Sequence, residues 1–213
     1  MTGTKLLTRT DWPTIKISLR NAKLAKAPRK MPNWSIPAGL TCPGASDECS
    51  IFCYAKNGFF NMPRVRNAYH SNFEASQHPE FVPAMIQAIT DIGDDKFRIH
   101  AAGDFYSVAY IQAWQAIAEA LPNISFFAYT RSWNVPTLLP ALEVLRALPN
   151  VQLFASLDDS MPDAPEGWRI AYMEGDTRHK GMVCLEQVGK KPDCASCGYC
   201  FIKQAGHVEF IKH

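Results

Sequence analysis

Three runs of β-forming residues recur through the middle of the chain: KFRIHAAGD (96–104), NISFFAYTRS (123–132) and NVQLFASLDD (150–159). Each opens on a turn or polar signal and ends in small or polar residues. Their centres lie about 27 residues apart, the length of one strand plus one helix. The stretches between them carry a helical period. In SVAYIQAWQAIAEALP (107–122), Val108, Ile111, Trp114, Ile117, Ala118 and Leu121 share one face. In VPTLLPALEVLRALP (135–149), Leu138, Leu142, Leu145 and Leu148 do the same, and both patterns stop at a proline. PEFVPAMIQAITDIG (79–93) predicts a helix before the first strand, ending at Gly93. GWRIAYME (167–174) predicts a fourth strand and KGMVCLEQ (180–187) a fifth.

Strands alternating with helices imply parallel pairing with right-handed crossovers. An open doubly wound sheet and a barrel both satisfy this pattern. A full eight-unit barrel takes about 250 residues, and only five or six units fit here, so a barrel would be incomplete. In either architecture function gathers at the C-terminal ends of the strands. Those ends carry Gly103-Asp104-Phe105, Tyr129-Thr130-Arg131-Ser132, Ser156-Leu157-Asp158-Asp159 and Glu174-Gly175-Asp176. Strand ends turn polar on leaving any core, but four in succession make a binding rim the better reading.

Composition narrows the class. The 213 residues are 47% hydrophobic and 20% charged, an ordinary globular balance. There is no apolar run of membrane-spanning length and no apolar signal-peptide core near the N-terminus, so no membrane is expected and the expected compartment is the cytoplasm. The net charge of +2 is unevenly placed. Residues 1–30 hold eight Lys or Arg (Lys5, Arg9, Lys16, Arg20, Lys23, Lys26, Arg29, Lys30) against one acid, Asp11. Such a basic arm either touches a phosphate-bearing partner or is simply solvated.

Seven cysteines in a reducing compartment read as metal ligands or redox groups. They fall into two groups. Cys184, Cys194, Cys197 and Cys200 lie in CLEQVGKKPDCASCGYC, where the C-x2-C-x2-C run is the compact spacing of iron–sulfur ligands, with Cys184 as a distant fourth. Structural zinc more often uses two separated C-x2-C knuckles. Cys42, Cys49 and Cys53 lie in CPGASDECSIFC. Three thiolates on a four-iron cluster leave one iron without a protein ligand, an open position for substrate or cofactor. This loop follows NWSIPAGLT (33–41) and sits where a first barrel strand would end.

The arrangement resembles radical S-adenosylmethionine (SAM) enzymes, and the resemblance implies a partial (βα)5-6 TIM-like barrel of the α/β class. In that superfamily a three-cysteine loop after the first strand holds a [4Fe–4S] cluster whose open iron binds SAM. The usual motif is C-x3-C-x2-C with an aromatic before the last cysteine. Phe52 matches the aromatic, whereas the spacing here, C-x6-C-x3-C, departs from it. AAGDF (101–105) looks like the motif that receives the SAM amino group, at Gly103 and Asp104. More closely, the chain resembles the phage gene product 88 domain family through NAKLAK (21–26), SIPAGLTCPGA (35–45), CYAK (53–56), GDF (103–105), YTRS (129–132) and CLEQ with the terminal cysteine run.

The resemblance implies a division into a basic arm (1–30), a radical SAM-like barrel (31–180) and a C-terminal auxiliary-cluster segment (181–213). It implies a SAM-cleaving enzyme that generates a 5′-deoxyadenosyl radical and draws electrons from a donor such as flavodoxin or ferredoxin. A nucleotide or nucleic-acid substrate is favoured, in the host cytoplasm if the chain is phage-encoded. Asp104 would accept from the SAM ammonium and Arg131 would pair with its carboxylate, unless Arg131 is tied to a neighbouring acid. Thr130, Ser132, Ser156 and Asp158 are candidates for ribose or substrate contacts. Tyr54 is expected to pack under the cluster loop, and His100, at a strand end, to be a core residue rather than a site residue. Glu186 and Gln187 are placed to line a space between the two cysteine groups.

Two rival readings stay open. One is a binding module with two structural zincs, in which His70 would complete a Cys3His site. The other is an iron–sulfur redox protein that does not use SAM. No stacked aromatic platform for bases is visible in the sequence.

Overall fold

The computed structural model describes residues 11–19, 21–27, 30–203 and 205–211. Six strands, β1 (Lys96–Arg98), β2 (Ser125–Thr130), β3 (Val151–Ser156), β4 (Arg169–Met173), β5 (Gly181–Val183) and β6 (His207–Phe210), form one sheet in the order β1-β2-β3-β4-β6-β5. Every pairing is parallel. The helices are α1 (Asp47–Ile51), α2 (Pro63–Ser76), α3 (Phe81–Ile92), α4 (Val108–Ala120), α5 (Leu139–Ala147) and α6 (Cys194–Cys197).

The α/β class and the five expected strands are all present. The sheet has two edges rather than a closing pair among the described residues. β6 also separates β4 from β5, so the fifth strand is not the neighbour of the fourth. The first strand is shorter than expected, because the chain beyond Arg98 answers to two neighbours. Ile99 N donates to Phe127 O on β2, while Ala101 N donates to Trp34 O on the other side. Residues 32–36 run alongside β1 through Arg98 N to Pro32 O, Trp34 N to Arg98 O and Ile36 N to Ala102 O. This irregular segment extends the sheet past β1 and delivers the chain to the cysteine loop at the C-terminal end of the strands.

Alternation along the strands divides the sheet into two faces. One carries Phe97, Phe126, Ala128, Leu153, Ala155 and Ile170, packed under Phe81, Met85, Trp114, Leu142 and Leu145 of α3, α4 and α5. Large side chains such as Trp114, Phe97 and Phe126 are at most 1% exposed, and each contributes roughly 1.5–3 kcal/mol by leaving water. His100 belongs here, as expected. It is buried, Nε2 lies 3.0 Å from Tyr110 Oη, and the ring meets Phe105 edge-on.

The opposite face presents Phe127, Tyr129, Phe154, Ala171 and Val208 and is covered by both ends of the chain. Leu24, Ala25 and Met31 pack on Phe127, together with Cys194, Cys200 and Phe201. Backbone bonds lace the two ends together: Cys194 N to Lys23 O (3.0 Å) and Ala195 N to Leu24 O (2.8 Å), with Lys26 N on Asp193 Oδ2 (2.9 Å). Part of the basic arm is therefore built into the fold, and Lys23 pairs with Glu186 at 3.5 Å. Lys5, Arg9, Arg20 and Arg29 lie outside the described residues. Arg169, 6% exposed, closes this face. Its Nε donates to Gly206 O and Nη1 to Ile202 O, and the guanidinium stacks 4.2 Å from the Phe154 ring centroid and 4.9 Å from that of Tyr199. Among the described residues, no helix is long and apolar enough to cross a membrane.

Candidate metal centre

The cysteine loop is fastened to the strand ends at four points. Gly44 lies so close to β2 that a Cβ there would sit 2.1 Å from Arg131 O. Gly103 has φ +81°, and its Cβ would meet Ile36 Cγ1 at 2.5 Å and Thr41 Oγ1 at 2.8 Å. Both positions demand glycine, the second for its backbone conformation as well as for space. Ser46 caps α1, accepting from Cys49 N at 3.0 Å, and donates to Asp158 Oδ2 at 2.5 Å. Tyr54 Oη donates to Ala101 O at 2.6 Å.

The expected rim residues converge on this docking. Asp104, 5% exposed, accepts from Thr130 Oγ1 (2.6 Å), Arg131 N (2.8 Å) and Phe105 N (2.7 Å). Burial raises its carboxyl pKa, and these three donors oppose the rise. Ser132 is fully buried and donates its N–H to Thr130 Oγ1. Arg131 Nη1 contacts Asp158 Oδ2 at 2.5 Å, Ser46 Oγ at 3.3 Å and Met161 Sδ at 2.8 Å. The neighbouring acid has thus taken the guanidinium expected to bind a carboxylate. Asp158 also accepts from Ser160, and burial, which would raise its pKa, is outweighed by Ser160, Ser46 and Arg131, so the carboxyl is held below its usual range. Gly103, Asp104, Thr130, Arg131 and Asp158 accordingly clamp the loop to the sheet. Ser156 stands apart: its carbonyl accepts from Trp133 Nε1, and its hydroxyl makes no hydrogen bond among the described residues.

Cys42, Cys49 and Cys53 are brought within electrostatic reach of one another. Burial pushes the Cys42 thiol up to about 12, with Asp104, Cys49 and Cys53 adding to it. Burial also raises Cys49, opposed by Arg131. The second group lies on the face covered by the chain ends. Cys194 is pushed up to about 12 by burial, opposed by Arg98, with Cys200 and Cys184 raising it further. Cys200, raised to about 11 by burial, lies 2.9 Å from Tyr129 Oη and is influenced by Cys184 and Cys197. The short helix α6, capped by Asp193 through Ser196 N, sets Cys194 and Cys197 on one turn. All seven cysteines are free and partly buried. Among the described residues, no three Cys, His, Asp or Glu side chains converge as ligands of a single metal ion.

Glu186 is taken up by Lys23, and Gln187 Oε1 accepts from Ile211 N. His70 lies on α2 beside a pocket on the outer side of the loop. The residue that sequence reasoning missed is Arg98. It lies on the sheet face opposite Phe97, with its guanidinium 5.5 Å from the Tyr129 ring centroid and 5.7 Å from that of Phe127. Nε donates to His100 O at 2.6 Å, while neither Nη group has a protein partner among the described residues. It acts electrostatically on Tyr54 beside the first cysteine group and on Cys194 in the second. The signal in the sequence was a second cation, after Lys96, at the start of an otherwise apolar run.

The model of the gene product 88 family matches residues 15–203. The chain is 29% identical to the Gene 88 protein of Mycobacterium phage D29 and 27% identical to that of Mycobacterium phage L5. Each alignment covers 76% of this chain and 78% of the relative. No solved structure matches the chain.

Proposed function

The chain belongs to the gene product 88 family, and from the geometry of its cysteines we propose that it is a phage iron–sulfur enzyme acting in the host cytoplasm. The observation that carries the reading is the placement of Cys42, Cys49 and Cys53 together at the C-terminal rim of a parallel sheet, where such folds keep their chemistry.

The donor set fits a cluster. Thiols raised by burial and by one another ionise only against compensating positive charge, and a metal ligand must be a thiolate. Each cysteine of a four-iron cluster ligates its own iron, so its sulfurs stand further apart than the ligands of one zinc ion. The compact C-x2-C-x2-C run and the division of seven cysteines into three and four support the cluster over zinc. Cys42, Cys49 and Cys53 would hold the cluster with an open iron. Cys184, Cys194, Cys197 and Cys200 would hold an auxiliary one.

For the radical SAM form of this reading, the cluster when bound would supply the electron that cleaves SAM to methionine and a 5′-deoxyadenosyl radical. The chain's own residues position and protect. The Asp104–Thr130–Arg131–Asp158 network holds the loop rigid against the sheet. Arg98, with open N–H donors between the cysteine groups, is the better candidate than Arg131 for an incoming carboxylate. A SAM-independent redox protein shares the cluster reading and lacks only this cleavage.

Anaerobic purification followed by iron, sulfide and zinc analysis tests the reading. About eight irons per chain with broad absorbance near ~400 nm are expected, falling by about half in the Cys42→Ala/Cys49→Ala/Cys53→Ala variant. Zinc in place of iron after reconstitution overturns it. Full iron content without 5′-deoxyadenosine after reduction in the presence of SAM overturns the SAM form alone.

A further inference from the structure

The segment leaving the cysteine loop exposes what a core would hide. Of the eleven large hydrophobic residues exposed among the described residues, six lie within residues 40–62: Leu40, Ile51, Phe52, Tyr54, Phe59 and Met62. Phe52 is 75% exposed and Phe59 80%. The exposed aromatic residues of that set are all here. Residues 51–70 also contain Lys56, Arg64 and Arg66 and no acid at all. Asp47, Glu48 and Glu74 flank the stretch without entering it.

Leu40, Lys56 and Phe60 of the same stretch line a pocket of about 320 Å³. Lys56, Arg66 and His70 supply its polar wall, Tyr69, Phe60 and Leu40 its apolar one, and no acid lines it. Arg66 and His70 stand one turn apart on α2, so their side chains share a face. Arg64, Arg66 and His70 make no side-chain hydrogen bond or ion pair among the described residues. Lys56 Nζ donates to Ser50 O at 3.0 Å and keeps two further N–H groups. The pocket shares its walls with the cysteine loop, through Leu40 before Cys42 and Lys56 after Cys53.

We infer that this face docks a single-stranded nucleic acid, with a phosphate in the Lys56–Arg66–His70 pocket and unstacked bases on Phe52 and Phe59. Cations tracking the backbone and rings offered to base faces are the two elements of single-strand binding. A duplex buries its base faces in its own stack and cannot use the exposed rings. A second copy of this chain is a poorer occupant. A two-fold interface here would set Lys56, Arg64 and Arg66 against their own copies with no acid within the stretch to answer them. The inference rests on the iron–sulfur reading only for its meaning, since it places the strand beside the first cysteine group. The docking itself stands on this surface alone.

The test uses the full chain at measured iron content and a fluorescein-labelled oligothymidylate, read by anisotropy over a range of salt. Arg66→Glu is expected to weaken binding at least about tenfold. The pair Lys56→Ala/Arg66→Ala should flatten the salt slope by roughly 0.7 per cation removed. Phe59→Ala, remote from the core and neutral to folding, should weaken binding about tenfold through lost stacking. Lys5→Ala/Arg9→Ala serves as the comparison, since a smaller loss there than at Arg66 is the expected result. Equal affinity in parent and all three pocket or ring variants overturns the inference. So does a chain that sediments as a dimer, becomes a monomer on Phe59→Asp and binds the oligonucleotide unchanged. Iron content is read on the same samples, so failure of docking and failure of the iron–sulfur reading are told apart.

Discussion

Asp158→Asn removes one charge from the clamp between cysteine loop and sheet while keeping its shape. In the parent, Arg131 and Asp158 are buried partners, with side chains 15% and 6% exposed. Removing one member of such a pair leaves a cation without its counter-charge, at a cost of about 3–5 kcal/mol when burial is complete. Arg131 retains Ser46 and Met161 as contacts, and an asparagine oxygen still accepts from Ser46, so the lower figure is reduced further, to about 2 kcal/mol. With a urea dependence of about 2 kcal/mol/M, the unfolding midpoint should fall by about 1 M at neutral pH. The pH dependence supplies an internal check. The folded Asp158 carboxyl is held below the ordinary carboxylate value of about 3.9, so its contribution is complete above that value and is lost as pH falls through the folded one. Parent and variant should therefore converge in acid. The thiols of Cys42 and Cys49 should react faster with a disulfide reagent in the variant, because Ser46 anchors α1 to the sheet through this carboxylate. A midpoint within 0.3 M of the parent (about 0.6 kcal/mol at the same urea dependence), with thiol reactivity unchanged, would refute the clamp.

Gly44→Ala places a methyl against the Arg131 carbonyl and should cost about 3 kcal/mol or displace the loop, measured by urea unfolding and by the reactivity of Cys42 and Cys49 toward a disulfide reagent. Arg169→Met strips the donors from Gly206 O and Ile202 O; a loss of about 2–4 kcal/mol is expected, with faster proteolysis between residues 185 and 205. His100, lowered to about 3 by burial and then by Arg98, should show a neutral imidazole by nitrogen NMR at pH 5. Its folded value lies below the unfolded one, so stability is present above pH of about 6.5 and drains away as pH falls toward the folded value. His100→Gln should flatten that acid slope.

Much of the sheet was legible because its periodicities are strong. Of the face read over 107–122, Ile111, Trp114, Ile117 and Ala118 are buried by α4 together with Tyr110, while Val108 is exposed. β6 was not legible, since HVEF is too short to carry a period and its partners lie far away in sequence. The irregular segment 32–36 escaped for a similar reason: its place depends on β1, not on its own pattern. The two cysteine groups and the polar rim were visible as residue types at spacings. Their roles were less so. Polar groups at strand ends this deep need partners, and whether Arg131 meets a ligand or Asp158 depends on a loop arriving from 85 residues earlier, at Ser46. Arg98 was hidden for the converse reason: its significance lies in partners it lacks.

The position of β6 between β4 and β5 bears on synthesis as well as architecture. A ribosome makes β5 before the strand that joins it to the sheet. Until His207–Phe210 emerge, β5 has no strand to pair with, although Cys194 and Cys200 already have Phe127, Lys23 and Leu24 to pack and bond against. Cys184 N donates to Glu209 O of β6, and its side chain packs on the Phe154, Ala171 and Val208 face. The first cysteine group can meet its loop anchors while translation continues, whereas the second lacks the backbone partner of Cys184 until the last strand slides into its slot. The second group is then the last part of the fold to be completed, and a chain released early would leave Cys184 without its partner on β6.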